Sequence, residues 1–315
     1  MSSQTVQQSS YHVPVMLGEV LEHLVTTTSG LYVDGTLGGA GHAEKILEKI
    51  APDGLLIGID ADDDAIIEAG KKLFQFQQNI ELVHDNTVNI ASILRSRKIT
   101  KINGLLLDLG VSSFQLDEAS KGFSFRSNER LDMRMDKRQP LDAFTVVNMY
   151  DEQQLVEIFW KYGEEKFSRK IAKTIVAKRE VKQIETTGDL AEIIEGIIKG
   201  PLGIKSLARV FQGIRIEVND ELNRLQTILR DSLQFLECGA RIVVISYHSL
   251  EDRIVKQFFN ECAATVIPSG NKFMPDTPRN PELIVITKKP MTASEEELRR
   301  NPRSRSAKMR VAEGA

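Results

Sequence analysis

The fold is decided by the stretch DGTLGGAGH, Asp34–His42, which follows the apolar run Leu31–Val33 and precedes the helical spacing of Ala43–Ile50. A strand that ends in a glycine-rich turn and opens a helix brings backbone N–H groups to the carboxyl edge of a parallel sheet, where nucleotide-like ligands bind. Such a turn can also serve only to reverse the chain. The stretch therefore predicts a strand–turn–helix unit whose ligand depends on neighbouring residues.

The same pattern repeats outward from this turn. Short apolar runs at Leu55–Ile59, Ile80–Val83 and Gly104–Leu107 each end near Asp, Gly or Asn, and amphipathic stretches separate them. Strands that alternate with helices are typical of a parallel sheet covered by helices. The first third of the chain therefore predicts an α/β fold.

A helical segment interrupts this alternation after Leu109. Residues 114–217 contain apolar residues at helical spacing and no convincing strand. We therefore predict two domains: a discontinuous one formed by residues 1–113 and 218–315, and an inserted all-helical domain at 114–217.

Sheet character returns near the end of the chain. A long amphipathic helix is predicted at Asp220–Leu236 and an apolar strand at Ala240–Ser246. The runs Ala264–Ile267 and Leu283–Thr287 flank a connection rich in Pro and Gly, which predicts a terminal hairpin with a long loop. The tail from Met291 is expected to be only partly ordered.

Composition narrows the class of protein. With 315 residues, 41% of them apolar and 27% charged, the chain is an ordinary globular protein. No apolar run approaches the roughly 18 residues of a membrane span, and the polar start resembles no secretion signal, so a cytoplasmic location is expected. Cys238 and Cys262 are the only cysteines, so neither a disulfide framework nor a metal site is predicted.

Positive charge is concentrated in two segments, although the net charge is -3. Lys161–Lys182 contains eight Lys or Arg residues against three Glu, and Arg299–Arg310 contains six and no acidic residue. Such segments either contact nucleic-acid phosphates or are simply a solvated helix face and a loose tail. The sequence leaves both interpretations open.

Two carboxylates indicate which ligand the glycine turn holds. Asp60 ends the second predicted strand, where a carboxylate can accept hydrogen bonds from both ribose hydroxyls. Asp34, beside the glycines, would repel a pyrophosphate but attract the ammonium and sulfonium groups of S-adenosylmethionine. The pair therefore favours S-adenosylmethionine over a dinucleotide, although Asp34 could also only cap the turn.

Further polar residues follow the fourth and fifth predicted strands. Asp108, after three leucines, could accept hydrogen bonds from the exocyclic amine of a nucleobase, or could only bind neighbouring backbone N–H groups. Tyr247 and His248 could contact or stack on a base or shuttle a proton, although His248 could equally be structural. Ser249 with Asp252 is typical of a helix N-terminal cap.

Several motifs, found in order along nearly the whole chain, closely resemble those of one family. This is the bacterial 16S rRNA (cytosine-N4)-methyltransferase family, the RsmH or MraW group. The motifs that carry the resemblance are Asp34–His42, Leu107–Ser113, Gly122–Phe125, Leu131–Asp136 and His248–Arg253.

The resemblance implies a reaction and a cofactor site. The family methylates the exocyclic N4 of a cytidine in the decoding region of 16S rRNA, with the small ribosomal subunit as partner, in the cytoplasm. By motif, Ala40, Gly41 and His42 would meet the methionine moiety of the cofactor, Asp60 its ribose, and Asp108 and Gln115 further parts of it.

The chain departs from the family pattern at two places. Thr87 stands where the family commonly has an aromatic residue, so a ring contact with adenine is not implied there. Lys205–Ala208 replaces a turn that contains His-Pro in many members, so the resemblance assigns no RNA contact to that stretch.

These observations predict a class I, Rossmann-like S-adenosylmethionine-dependent methyltransferase with an inserted helical domain. The alternatives are a non-catalytic rRNA-binding assembly factor on a methyltransferase scaffold, and a methyltransferase that acts on proteins or small molecules. Whether the protein forms a homodimer stays open. The candidate catalytic residues are Asp108 and His248, and the candidate cofactor-binding residues are Asp34, Gly39, Ala40, Gly41, His42, Asp60, Thr87, Asp108 and Gln115.

Overall fold

The computed structural model describes residues 14–110, 121–271 and 273–315. The chain divides into two compact units, one formed by Met1–Gly110 with Asp231–Ala315 and the other by Val111–Arg230. Among the described residues, no helix combines the length and apolar character needed to cross a membrane. The helices are α1 Leu17–Leu24, α2 Gly41–Ile50, α3 Asp63–Lys72, α4 Ile90–Ser96, α5 Ala143–Met149, α6 Glu152–Lys161, α7 Ser168–Arg179, α8 Thr187–Ile197, α9 Gly200–Asn219, α10 Glu221–Ser232, α11 Ser249–Cys262 and α12 Glu295–Arg300.

The strands are β1 Leu31–Asp34, β2 Leu55–Asp60, β3 Ile80–His84, β4 Ile102–Asp108, β5 Leu236–Ser246, β6 Val266–Ile267, β7 Thr277–Pro278, β8 Leu283–Val285 and β9 Lys308–Gly314. The first unit is built on a seven-stranded sheet in the order β3-β2-β1-β4-β5-β9-β8. The first five strands run parallel, and β9 pairs antiparallel with both β5 and β8. This architecture confirms the predicted α/β fold.

The central strands are apolar along their whole length because helices cover the sheet. Leu105–Leu107 of β4 and Ile242–Ile245 of β5 are fully buried. Such continuous apolar runs are typical of parallel strands buried on both faces. The four predicted strands of the first third are confirmed, each with ends within two residues of the expected ones.

The strand predicted at Ala240–Ser246 is confirmed as part of β5, but two other predictions for the last part of the chain were wrong. The hairpin expected between Ala264–Ile267 and Leu283–Thr287 does not form, because β6 pairs with β7 and β8 pairs with β9. The tail is ordered: it contains α12 and ends in β9, which pairs with the long strand β5. Arg310 in this strand is buried, where its Nε donates to Asp252 Oδ1 at 2.6 Å, so a basic residue there does not indicate a loose tail.

Helices α5 to α9 of the second unit surround its own apolar core, which includes Leu155, Phe159, Ile171 and Ile214. Among its described residues, 121–230, no strand is present beyond an isolated bridge at Arg130.

The second boundary of this unit lies after Arg230, whereas the helical pattern predicted it between residues 217 and 218. The reason is a set of hydrogen bonds that the pattern does not reveal. Asn219 Nδ2 donates to Met133 O at 2.8 Å, and Gln139 Nε2 donates to Val218 O at 2.8 Å. These bonds hold the last residues of α9 to the inserted unit, and Arg224 of α10 adds a bond from its Nη2 to Gln139 Oε1 at 3.3 Å. The first boundary lies after Gly110, compared with residue 113 in the prediction.

Candidate active site

The carboxyl ends of β1, β2 and β4 meet at one edge of the sheet in the first unit. The chain passes from β1 to β2 on one side and reaches β4 on the other side of β1, so the order of connection reverses between β1 and β4. Ligands of open α/β sheets bind in the crevice outside such a point. Asp34, Asp60 and Asp108, the three carboxylates selected from the sequence, are the last residues of these strands.

Asp60 shapes the glycine turn at this edge. Its Oδ2 accepts the N–H of Gly38 at 2.8 Å, and its Oδ1 accepts the N–H of Asp62 at 2.9 Å. Asp62 in turn caps α3 by accepting the N–H of Asp64. One carboxylate therefore joins the turn after β1 to the helix after β2.

Thr87 supports the same turn from the neighbouring segment. It is buried in the short 3-10 turn after β3, and its hydroxyl donates to the carbonyl of Gly35. A Cβ at Gly35 would lie 2.7 Å from Thr87 Cγ2 and 2.8 Å from Leu107 Cδ2, so only glycine fits there. The family that the sequence resembles commonly has an aromatic residue at this position. This chain instead has Thr87, a small residue whose hydroxyl is already hydrogen-bonded.

The residues that follow the turn differ in the space around them. Ala40 has left-handed backbone geometry (φ 54°) at the start of α2, whereas a Cβ at Gly39 would meet no atom within 4 Å. Gly41 is closely covered, because a Cβ there would lie 2.5 Å from Pro14 Cγ. The backbone of Gly39 therefore faces open space, while Gly41 allows close packing against the N-terminal segment.

His42 is the most unusual side chain of this edge. It is only 6% exposed in the first turn of α2, yet within the described part of the chain neither ring nitrogen has a hydrogen-bond partner. Its Nε2 lies 3.5 Å from Asp108 Oδ2. Since buried polar atoms are normally satisfied, both ring nitrogens of His42 keep hydrogen-bonding capacity that the described residues do not use.

Asp34 is almost completely buried, and its Oδ1 accepts the N–H of Thr36 at 3.1 Å. Burial raises the pKa of its carboxyl group from 3.8 to about 6. His42 and the Thr36 N–H oppose this rise in pKa, and the carboxylates of Asp108 and Asp60 add to it. A buried carboxyl group of this kind favours a cation beside it.

Asp108 is held by two side chains from neighbouring elements. Its backbone N–H donates to Thr36 Oγ1 at 2.6 Å, and its Oδ1 accepts a hydrogen bond from the Tyr247 hydroxyl at 2.7 Å. Burial and the Asp108 carboxylate raise the pKa of Tyr247 far above its ordinary range, so its phenol keeps the proton that it donates. The carboxylate is therefore fixed in position, and its oxygens have lone pairs for a further donor.

The start of α11 differs from the cap predicted at Ser249 and Asp252. The N-terminal cap is His248, whose Nδ1 accepts the N–H of Glu251 at 3.4 Å, while Glu251 Oε2 accepts the N–H of Tyr247 at 2.8 Å. Asp252 instead binds Arg310. The buried Nε2 of His248 lies 3.2 Å from Glu251 Oε1 but has no hydrogen-bond partner among the residues that the structure describes.

Tyr247 was considered from the sequence as a residue that contacts or stacks on a base or shuttles a proton, and its part in holding Asp108 was missed. The register of the sheet could have indicated its partner. Ile245 of β5 pairs with Asp108 of β4, so the residue two positions after Ile245 starts beside the Asp108 side chain. Gln115, the remaining candidate, lies outside the described residues.

The described residues fit S-adenosylmethionine. The buried Asp34 carboxyl group suits the cationic methionine moiety, the unpartnered ring nitrogens of His42 suit its polar atoms, and the Asp60 carboxylate suits a ribose diol. The open space beside Gly39 allows a ligand to approach the backbone closely. The chemistry of these groups therefore agrees with the cofactor that the sequence indicated.

Comparison with known proteins identifies close similarity over almost the whole chain. The MraW methylase family matches residues 9–315. A ribosomal RNA small subunit methyltransferase H from Caldicellulosiruptor saccharolyticus is 48% identical over 303 residues, which cover 96% of this chain and 98% of the relative. Proteins of the same name from Carboxydothermus hydrogenoformans and Clostridioides difficile are 47% identical over 304 residues and 44% identical over 306 residues. Each alignment covers 96% of this chain, with 97% and 98% of the respective relative.

Proposed function

This chain belongs to the MraW methylase family, and from that premise we propose that it methylates the exocyclic N4 of a cytidine in the decoding region of 16S rRNA. It is an S-adenosylmethionine-dependent rRNA methyltransferase. The observation that best supports the proposed chemistry is the fixed carboxylate of Asp108, bonded to Tyr247 and facing the unpartnered ring of His42.

The cofactor-binding residues are proposed to act as follows. Asp34 and His42 hold the methionine moiety, the backbone of Gly39, Ala40 and Gly41 lies against it, and Asp60 accepts hydrogen bonds from the ribose. Thr87 acts through the turn, since its hydroxyl holds Gly35. Gln115 is carried over from the family resemblance alone. When bound, the cofactor supplies an electrophilic methyl group attached to a sulfonium leaving group.

Asp108 is proposed to act on the base. The lone pair of an exocyclic amine is delocalised into the ring, and an acceptor for its N–H groups helps to localise that lone pair on nitrogen. Tyr247 holds one carboxylate oxygen in place, so that little reorganisation is needed when the amine arrives. For His248 we propose a contact with the base or its proton through Nε2, because Nδ1 is used in the cap of α11.

The proposed partner is the small ribosomal subunit or its RNA, and the proposed location is therefore the cytoplasm. In the second unit, Lys161–Lys182 supplies a basic face that is proposed to contact RNA phosphates. This segment keeps most of its Lys and Arg side chains exposed. By contrast, Arg299, Arg300 and Arg310 of the other basic segment pair with Glu295, Glu296 and Asp252.

One experiment separates the proposed function from its alternatives. Purified small subunits that lack the modification are incubated with methyl-labelled cofactor, and the nucleosides of their RNA are then analysed. The expected product is N4-methylcytidine in the decoding region. Label in protein, in another nucleoside or in a small molecule would contradict the proposal, as would the absence of any transfer.

We expect Asp60→Ala to weaken cofactor binding about tenfold or more, because a charged hydrogen-bond acceptor for the ribose is removed. Calorimetric titration with S-adenosylmethionine measures the effect. Asp63→Ala is the matched control, since that neighbouring side chain is 69% exposed in the first turn of α3. Unchanged affinity in a folded Asp60→Ala protein would remove the ribose contact from the proposal.

Removing charge from α7 is expected to weaken RNA binding and to reduce its dependence on salt. The change is Lys170→Gln with Lys173→Gln, two exposed cations. The slope of log K against log salt should become shallower by about 0.7 to 0.9 for each phosphate that is no longer neutralised. Lys71→Gln is the control, because that exposed lysine is paired with Glu68 in the first unit. If the double variant keeps the full slope, this face does not bind phosphates.

A further inference from the structure

Two large aromatic side chains are exposed to water where the chain enters the basic segment of the second unit. Trp160, near the end of α6, is 63% exposed, and Phe167, immediately before α7, is 44% exposed. Other aromatic residues of this unit, such as Phe159 and Phe211, are buried in its core. We call Trp160, Phe167 and the exposed cations of residues 161–173 the Trp160 surface.

The cations of this surface lie on one side of α7. Arg169, Lys170 and Lys173 are exposed, whereas Ile171 and Ile175 on the opposite side are buried in the core. The spacing follows from 3.6 residues per turn, which places Arg169 and Lys173 one turn apart on the same face. Lys166 adds another exposed charge just before the helix.

These charges are unneutralised within the described part of the chain. Lys166, Arg169, Lys170 and Lys173 form no ion pair there, in contrast to exposed lysines of the first unit such as Lys45 and Lys71, which pair with Glu48 and Glu68. Cations that lie close along the chain without an ion pair repel one another and attract a polyanion.

Cations and exposed aromatic rings together suit one kind of partner. A duplex offers phosphates but keeps its bases stacked, so it cannot use the rings. An apolar protein surface could cover the rings but would desolvate the unpaired cations at a cost. Unpaired nucleotides offer both a phosphate and a free aromatic face at each step, which is how single-stranded nucleic acids are usually bound.

We propose that the Trp160 surface binds unpaired RNA, with bases stacked on Trp160 and Phe167 and phosphates on the neighbouring cations. This inference rests on the proposed function only in that RNA is the substrate, and it extends the interaction from phosphates to bases. In this proposal the inserted unit binds the bases of single-stranded RNA as well as its phosphates.

The chain provides its own probe, because Trp160 is its single tryptophan. The full-length protein is titrated with a short oligouridylate, with the same strand paired to oligoadenylate, and with inorganic polyphosphate. Stacking on a base is expected to quench the tryptophan fluorescence with oligouridylate. The duplex and polyphosphate should compete for the cations without quenching.

The substitution Trp160→Ala separates stacking from charge. We expect it to reduce the affinity for labelled oligouridylate, measured by anisotropy, about fivefold or more, at high as well as low salt. Polyphosphate binding should not change. Phe74→Ala is the matched control, since Phe74 is a 68% exposed aromatic residue of the first unit, and it should leave both affinities as they are.

Saturating oligouridylate without a change in fluorescence would overturn the proposal, as would equal quenching by the duplex or an unchanged affinity of Trp160→Ala. These results are distinguishable from a failure of the proposed methyl transfer. Fluorescence and anisotropy report binding at this surface whether or not any nucleoside becomes methylated.

Discussion

Asp108→Asn is expected to lower the turnover number for methyl transfer about 100-fold or more, with little change in RNA affinity. Asparagine keeps the size of the side chain and the backbone N–H that donates to Thr36 Oγ1, but it removes the negative charge. A neutral amide is a weaker acceptor for the N–H groups of the base, and its own NH2 group would face one of them. Single-turnover transfer at saturating cofactor measures the effect.

Tyr247→Phe is the companion variant for this prediction. It removes the hydroxyl that donates to Asp108 Oδ1 but keeps a ring of similar size in the same partly buried position. We expect a smaller decrease in turnover than for Asp108→Asn, because the carboxylate acceptor remains and only one of its supports is removed. Normal turnover of a folded Asp108→Asn protein would exclude Asp108 from the chemistry.

Asp34→Asn is expected to stabilise the protein without its ligand and to weaken cofactor binding. At a pH below 3.8 the carboxyl group is protonated in both the folded and the unfolded chain and adds no pH dependence. As the pH rises from 3.8 to about 6, the unfolded chain loses this proton first, so the folded state loses stability. Above about pH 6 the charged Asp34 lowers the free energy of unfolding by about 3 kcal/mol. The neutral amide of Asp34→Asn avoids this cost.

The same charge should have the opposite effect once a cation lies beside it. We expect S-adenosylmethionine to bind the variant about tenfold or more weakly, because a charged partner in a buried site is replaced by a neutral one. Urea unfolding between about pH 4 and pH 8, with and without the cofactor, measures both effects. Equal stability of the two proteins at the upper end of this range, or equal cofactor affinity, would contradict the assignment of Asp34 as the buried counter-charge.

Much of the fold and part of the candidate site could be predicted from the sequence. The continuous apolar runs predicted the parallel strands, because a strand buried on both faces must be apolar throughout. The three carboxylates of the candidate site could also be predicted, because each follows directly after one of these apolar runs. Parallel strands bring their carboxyl ends to one edge, so Asp34, Asp60 and Asp108 had to lie at the same edge once the strands were identified.

Only the tertiary structure decided which side chains these carboxylates contact and how the chain ends. Tyr247 binds Asp108, and Arg310 is buried against Asp252, through contacts between residues that are far apart in sequence. His248 caps α11, although histidine is not among the residue types that usually cap a helix. Strand β9 was not predicted because its charged residues interrupt the apolar pattern that is typical of a buried strand. The local sequence indicates only which residue types usually prefer burial. The position of β9 beside β5 brings Arg310 to Asp252, and this partner makes burial of a charged residue favourable.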